Sequence, residues 1–347
     1  MVAFAPGRAN LIGEHTDYND GLSVPFAIEQ GVRVAAELRD GDRVNARAID
    51  RGEEDSFALS GDGKRRDGWA DFVRGTLGEL TAAGYELRGA VLEISGDVPA
   101  GGGLSSSAAL EVALCLALLA VAGAPKPADR VALARLCSRV ENDWVGAHTG
   151  LLDQLASLFG ESEHALRIDF RTLEIRPVPL RLGEWRLVTV PSGERHSLAA
   201  SRYNERRQEC ERARIELGLD SLRDARLEDL ERLPGPLDRR VRHVIEENAR
   251  VDGAVGALEA GDLGQVGRLL DASHASLRDL YESSTEAVER TVMRLMQGGA
   301  AGARMMGGGF GGHVLALLAP DARPPRDARP LVPSAGARVL SSQRPSR

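Results

Sequence analysis

With 347 residues, 43% of them hydrophobic and 27% charged, the chain has an ordinary globular composition and room for one large domain or two of usual size. A formal charge of −7 excludes nucleic acid as the main partner, so a small anionic ligand would need a local basic or helix-N-terminal site. Cys115, Cys137 and Cys210 offer neither a disulfide framework nor a zinc spacing, no apolar run is long enough for a membrane span, and no secretory leader is recognisable; the expectation is a cytoplasmic protein with no membrane partner.

The early chain alternates strand-type runs with turns. Strands are predicted over Val2–Ala5, Leu22–Ile28, Val32–Leu38 and Val44–Ile49, with Asn19-Asp20-Gly21 and Asp40-Gly41-Asp42 as turns between them. A helical stripe runs through Trp69, Phe72, Val73, Leu77 and Leu80 within Trp69–Ala83. A strand at Ala90–Ser95 then precedes helices at Ser107–Ala122, Pro127–Trp144 and Leu151–Phe159. Leu166–Leu182 reads as extended and Arg186–Pro191 as a buried strand. Helices follow at Ser201–Leu217, Leu227–Leu233, Leu237–Glu259, Leu263–Leu280 and Thr285–Gln297. The glycine-rich block Gly302–Gly312 leads directly into a strand at His313–Leu318, and beyond Pro320 the chain reads as loose except for a last strand at Ala337–Leu340. The order predicts an α+β chain of two domains, 1–185 and 186–347.

Three stretches carry chemistry. Gly101, Gly102, Gly103, Leu104, Ser105, Ser106 and Ser107 join the strand at Ala90–Ser95 to an apolar helix. Glycines let bare backbone approach a ligand, and a helix start presents unpaired N–H groups and the positive end of a dipole, so the stretch can cradle phosphate. Read alone, it can equally be a turn with Ser107 as helix cap. No lysine follows the glycines as in a Walker A loop, and Ser106 stands where a dinucleotide fingerprint has its third glycine.

The second stretch runs from Gly7 to Asn19. It crowds Arg8, Glu14, His15, Thr16, Asp17 and Asn19 around Leu11 and Ile12. Such a mixture of donors and acceptors suits a polyhydroxylated ligand, whose hydroxyls each donate once and accept twice. The third is the pair Glu141 and Asp153, the latter among apolar neighbours. Each can be a structural carboxylate; a kinase, however, needs one carboxylate for a metal ion and often another near the acceptor hydroxyl.

GRANLIGEHTDYNDG at Gly7–Gly21, PAGGGLSSSAALE at Pro99–Glu111 and GARMMGGGFGG at Gly302–Gly312 together resemble the galactokinases of the GHMP small-molecule kinase superfamily. Lesser matches lie at WADFVRG from Trp69, at the ENDW and GLLDQ segments, and at SRYNERRQEC from Ser201. The resemblance implies a two-domain GHMP kinase fold, with an N-terminal ribosomal-protein-like α/β domain and a C-terminal ferredoxin-like domain with extra helices. It implies ATP-dependent phosphorylation of D-galactose at the C1 hydroxyl. Asp153 would be the base and Arg8 would stabilise transition-state charge. Glu14, His15, Thr16, Asp17, Gly150 and Tyr203 would hold the sugar. The loop from Gly101 to Ser107 would wrap the ATP phosphates, Ser107 and Glu141 would hold Mg²⁺, and Trp69 would border the adenine. It further implies a monomer. Leu152, where Met is common, and Met306, where a small polar residue is usual, depart from the family pattern. Other sugars (N-acetylgalactosamine, arabinose, a heptose) and a non-catalytic sugar sensor are the alternatives within this reading.

Overall fold

The structure is a computed structural model; it describes residues 1–60, 68–99, 102–124, 129–146, 149–194 and 199–340. Its frame is the first strand, β1 (Val2–Asn10), which pairs antiparallel with the long β3 (Pro25–Leu38) in a register that shifts between Pro6 and Arg8. Alongside β3 lies β6 (Ala90–Gly96), then β4 (Arg43–Ala48) parallel to β6, and β5 (Glu53–Ala58) at the edge. The far edge is closed by the last strand, β13 (Arg338–Leu340), whose residues pair with Val2, Ala3 and Phe4.

Helices α1 (Trp69–Ala82), α2 (Ser106–Val121), α3 (Arg130–Arg139) and α4 (Leu152–Phe159) form the layer that packs on this sheet. Alternating residues of the strands, such as Val34, Leu92 and Ile94, meet Val73, Leu77, Leu114, Leu118, Leu133 and Leu155 in one core. Each fully buried Leu or Val there contributes about 1.5–3 kcal/mol relative to an exposed one. α2 is apolar around most of its circumference because it is covered on most sides, and Glu111 is buried within it.

A second antiparallel sheet has the order β10 (Ala300–Met305), β11 (His313–Leu318), β9 (Arg186–Pro191), β12 (Arg329–Pro330). Its core draws on α5 (Ala199–Leu217), α6 (Leu237–Ala260), α7 (Leu263–Asp279) and α8 (Glu286–Gln297). A small sheet of β2 (Leu22–Ser23), β7 (His164–Asp169) and β8 (Glu174–Pro179) lies in between. A further core joins the lobes. In it Leu11, Ile12, Leu22 and Phe26 pack with Val251, Val255, Met306 and Leu315. Among the described residues no helix is long and apolar enough to cross a membrane.

Three elements differ from the sequence expectation. β5 is rich in acidic residues and holds its place as a half-exposed edge strand by pairing, not by hydrophobic pattern. Gly302 to Met305, read as the start of a glycine loop, belong to β10; the glycines serve close packing, since a Cβ on Gly267 or Gly302 would run into the backbone of the other element. The segment between Pro320 and Ala337 is not loose throughout: Arg329 and Pro330 form β12 and Pro333 bridges to Ile28, while the last strand expected at Ala337–Leu340 is present as β13.

Candidate active site

The Gly7–Asn19 segment leaves β1 and enters the space between the lobes. Leu11 and Ile12 are fully buried and fix its path. The Leu11 N–H donates to Val24, and the Val24 N–H donates to Ile12, at 3.0 and 2.9 Å. The second lobe braces the same segment. The Gly13 N–H donates to Glu247 (3.0 Å), which also accepts from Ser273 (2.6 Å) and Arg250 (2.7 Å). Burial pushes the Glu247 carboxyl up, but Arg250, His243, Arg304 and the Ser273 hydroxyl outweigh it and hold it down at about 2. Arg304, fully buried in β10, donates to the carbonyls of Asn10 (2.9 Å) and Leu11 (3.0 Å) and lies 3.2 Å from Glu14. The same Glu14 oxygen accepts the Gly307 N–H at 2.8 Å.

Within this brace the polar residues divide. The Thr16 hydroxyl lies 2.7 Å from the Leu22 carbonyl and 3.0 Å from that of Gly13, so its single hydrogen is used inside the loop. His15 takes a left-handed backbone and hydrogen-bonds through Nδ1 to the Tyr18 hydroxyl (2.8 Å); burial lowers its pKa to about 3, so it is neutral. Asp17 is raised to about 6, by burial first and by the charge of Asp153 second. Gly150 presses against Asp17 so closely that a Cβ there would collide with the carboxylate. The Tyr203 ring lies 5.4 Å from His15, and burial followed by the Asp17 charge pushes its phenol well up. Glu14, His15, Asp17, Gly150 and Tyr203 thus meet around one space.

Arg8 connects this space to the glycine–serine loop. Its Nε donates to Asp153 at 2.8 Å, its Nη2 lies 2.7 Å from the same oxygen, and its Nη1 donates to the Gly103 carbonyl. The backbone takes part too: the Arg8 N–H donates to the Leu104 carbonyl at 3.1 Å. Gly7 permits this approach, because a Cβ there would sit 2.6 Å from that carbonyl oxygen. Asp153 stands in the first turn of α4 and accepts a second donor, the Ser105 hydroxyl. Ser105 takes a left-handed backbone just before α2. Of the loop residues in the sequence reading, Gly102 to Ser107 are placed here and Gly101 lies outside the described residues.

Glu141 lies where α3 widens into a π turn, Val140–Val145. Its carboxylate accepts from Ser107 (2.8 Å), Thr149 (2.9 Å) and Gln154 (2.9 Å), all neutral donors. Burial raises its pKa, and the charge of Asp153 adds to the rise. Gln154 also donates to the buried Glu111 at 3.2 Å, whose carboxyl burial pushes well up, with Glu141 the next cause. Ser106 and Ser107 form one end of a cleft of about 380 Å³ whose other walls include Val32, Ala48, Trp69, Phe72, Ile94 and Leu110. Trp69 is fixed there by its indole N–H, which donates to Glu53 at 2.5 Å.

The structure therefore brings Arg8, Asp153, Ser105, Ser107 and Glu141 together beside an apolar cleft, with the Glu14–Asp17 cluster on the other side of Arg8. Arg304, Gln154, Glu111 and Tyr281 are participants that the sequence reading did not single out. Arg304, Gln154 and Glu111 are each a polar side chain within an apolar pattern, as in GARMM and LLDQLA, and that isolation is their signal, whereas Tyr281 lies in the polar stretch RDLYESS and carries none. Leu152 is buried in the first core and Met306 in the core between the lobes, so the two departures from the family pattern fill packing positions.

Residues 1–38 match the galactokinase galactose-binding signature, residues 71–161 the N-terminal domain of GHMP kinases, and residues 254–337 their C-terminal domain. The chain is 42% identical over 318 residues to a galactokinase of Thermotoga petrophila, covering 91% of this chain and 89% of that one. It is 43% identical over 365 aligned positions to a galactokinase of Chloroflexus aurantiacus, with 97% and 92% covered. The structure of Lactococcus lactis galactokinase complexed with galactose superposes with a TM-score of 0.90 at 33% identity, covering 98% of this chain and 95% of that one. A mevalonate kinase structure, at 18% identity and a TM-score of 0.67, shares the fold. The architecture is the two-domain GHMP kinase fold.

Proposed function

Because this chain belongs to the galactokinase family, we propose that it transfers the γ-phosphoryl group of ATP to the C1 hydroxyl of D-galactose, giving galactose 1-phosphate and ADP. The observation that carries the reading is the position of Arg8, whose guanidinium donates both to Asp153 and to the Gly103 carbonyl of the phosphate loop. One cation thereby joins the group that takes the proton to the loop that holds the donor.

In this reading the sugar lies against Glu14, His15, Asp17, Gly150 and Tyr203, and Thr16 keeps the loop in shape beneath them. Asp153 accepts the proton of the C1 hydroxyl as its oxygen bonds to the γ-phosphorus and ADP departs. Arg8 holds the carboxylate in place by a two-point fork and offers positive charge where the transferring group gains negative charge. The N–H groups at the start of α2 and the backbone of Gly102 to Ser107 face the phosphates. The apolar cleft beside Trp69 takes the base.

A divalent metal fits the pair Ser107 and Glu141. Among the described residues no group of three or more His, Cys, Asp or Glu could hold a metal by itself. Mg²⁺ is bound by one or two carboxylates completed by water and substrate phosphates, and a buried carboxylate with only neutral partners suits it. Such an ion would neutralise charge on the β- and γ-phosphates. The division into domains at 185/186, a single-chain active form and a cytoplasmic setting belong to the same reading. Three free thiols suit a reducing compartment.

A panel of sugars with ATP and Mg²⁺, read by ADP release, tests the assignment. Galactose is expected to give the highest kcat/KM. Turnover only with N-acetylgalactosamine, arabinose or a heptose would replace the substrate, and no ADP above background with any sugar would replace the enzyme by a sensor.

A further inference from the structure

Ser107 and Glu141, the pair that fits a divalent metal, already stand at ligand spacing. The Ser107 hydroxyl, in the first turn of α2, lies 2.8 Å from Oε1 of Glu141. Neighbouring oxygens of an octahedral Mg²⁺ shell, each about 2.0–2.1 Å from the ion, are about 2.8–3.0 Å apart, which is the edge this pair would supply. A glutamate carboxylate turns readily about its last torsion, so the edge persists only if something fixes that torsion. The second oxygen is where it is fixed. Oε2 of Glu141 accepts from two donors, the Thr149 hydroxyl and the Gln154 amide, both at 2.9 Å.

Both donors are themselves anchored. Gln154 is fully buried in α4, and its Nε2 also donates to Oε2 of Glu111 at 3.2 Å, so each amide hydrogen has its own acceptor. Turned end for end, the amide would set its carbonyl oxygen against the Glu141 carboxylate. Glu111 lies one helical turn beyond Ser107, on the same face of α2. The contacts therefore close a ring: Ser107 to Glu141, to Gln154, to Glu111, and back along α2. Thr149 is tied to the π turn that carries Glu141, since its carbonyl accepts the Asn142 amide at 3.3 Å. Asp153, the neighbour of Gln154 in α4, meets Arg8 and Ser105, so one turn of this helix sets both carboxylates of the site.

We propose that Gln154 and Thr149 are positioning residues that clamp Oε2 of Glu141, so that Oε1 stays beside the Ser107 hydroxyl as a ligand for the divalent ion. This rests on the reading of Ser107 and Glu141 as the metal pair. Neither clamp residue touches the ion; each acts through the Glu141 carboxylate.

The test is isothermal titration calorimetry of the full chain with a non-hydrolysable ATP analogue, with and without Mn²⁺. The ratio of the two affinities gives what the metal adds. Gln154→Met removes both amide donors at nearly the same length, and Thr149→Val removes the hydroxyl at nearly the same shape. Each is expected to cut the gain from Mn²⁺ about 10-fold and to leave the metal-free affinity unchanged. In turnover each should need about 10-fold more Mg²⁺ for half-maximal rate, and saturating Mg²⁺ should restore most of kcat. Glu141→Gln, measured in parallel, separates the two claims. If it loses the gain from Mn²⁺ while Gln154→Met and Thr149→Val keep it, the clamp is overturned and the metal pair stands. If Glu141→Gln keeps the gain, the metal pair is wrong and the clamp falls with it. Equal losses with and without Mn²⁺ in the clamp variants would make Gln154 and Thr149 merely structural and would also overturn the proposal.

Discussion

Asp153 and Glu141 are two carboxylates of one site with opposite surroundings. Asp153 has a guanidinium at 2.7 Å, a hydroxyl donor, and a side chain 20% exposed. Glu141 is 5% exposed and meets only neutral donors, and burial has raised its pKa. The first has its cation built into the fold. The second is desolvated without a cation, an arrangement that costs stability until a positive charge arrives from outside. The contrast is the physical basis for proposing Asp153 as the group that takes the proton and Glu141 as the group that holds the metal.

Substitutions sharpen or break that division. Asp153→Asn is expected to have the largest effect, a fall in kcat of about 10²–10⁴-fold with ATP binding retained, measured by steady-state turnover and ATP titration. Near-normal turnover would move the proton transfer elsewhere. Arg8→Lys comes next: a point charge cannot bond Asp153 and the Gly103 carbonyl as a fork does, and kcat/KM should fall about 10–100-fold. Glu141→Gln separates the two carboxylates most clearly. The Mg²⁺ concentration for half-maximal activity should rise by about 10–100-fold, while the Tm without Mg²⁺ stays level or rises. A lower Tm with an unchanged Mg²⁺ requirement would make Glu141 a structural carboxylate.

The smallest effect is on pH dependence. Asp17 is raised from the usual 3.8 to about 6, so in the free protein it gains a proton as the pH falls through 6 and loses acceptor capacity for sugar hydroxyls. kcat/KM for galactose should therefore decline below pH 6, and Asp17→Asn should remove that inflection. The stability sign is opposite to that of an ion-paired acid. The folded chain binds this proton more tightly than the unfolded one, so the contribution of Asp17 is fully present below about pH 4 and is lost as the pH rises to about 6. Thermal melts of the sugar-free protein and of Asp17→Asn across that range measure the difference.

Much of this site is legible in the chain because its chemistry is concentrated in short motifs. The Gly7–Asn19 and Gly102–Ser107 segments and the Glu141–Asp153 pair are visible as residue types, and the helices around them follow strong apolar periodicity. The remainder depends on contacts distant in sequence. Nothing local in Arg304 shows that it grips the Asn10 and Leu11 carbonyls, nor in Gln154 that it bridges Glu111 and Glu141. Ser105 reads as one serine of three, and only its left-handed backbone and the approach of α4 bring its hydroxyl to Asp153. β10 was hidden because its glycines, required by the close passage of α7, resemble a loop when read alone. β12 is two residues long and is defined by its partner β9, not by its own pattern.

The central claim is the transfer of phosphate from ATP to the anomeric oxygen of galactose. Its most direct test is ³¹P NMR of a reaction containing the protein, ATP, Mg²⁺ and D-galactose. The account predicts ADP together with one new phosphomonoester whose phosphorus couples to the anomeric proton. A phosphoester coupled to a proton at another carbon, or ATP left intact, would contradict it.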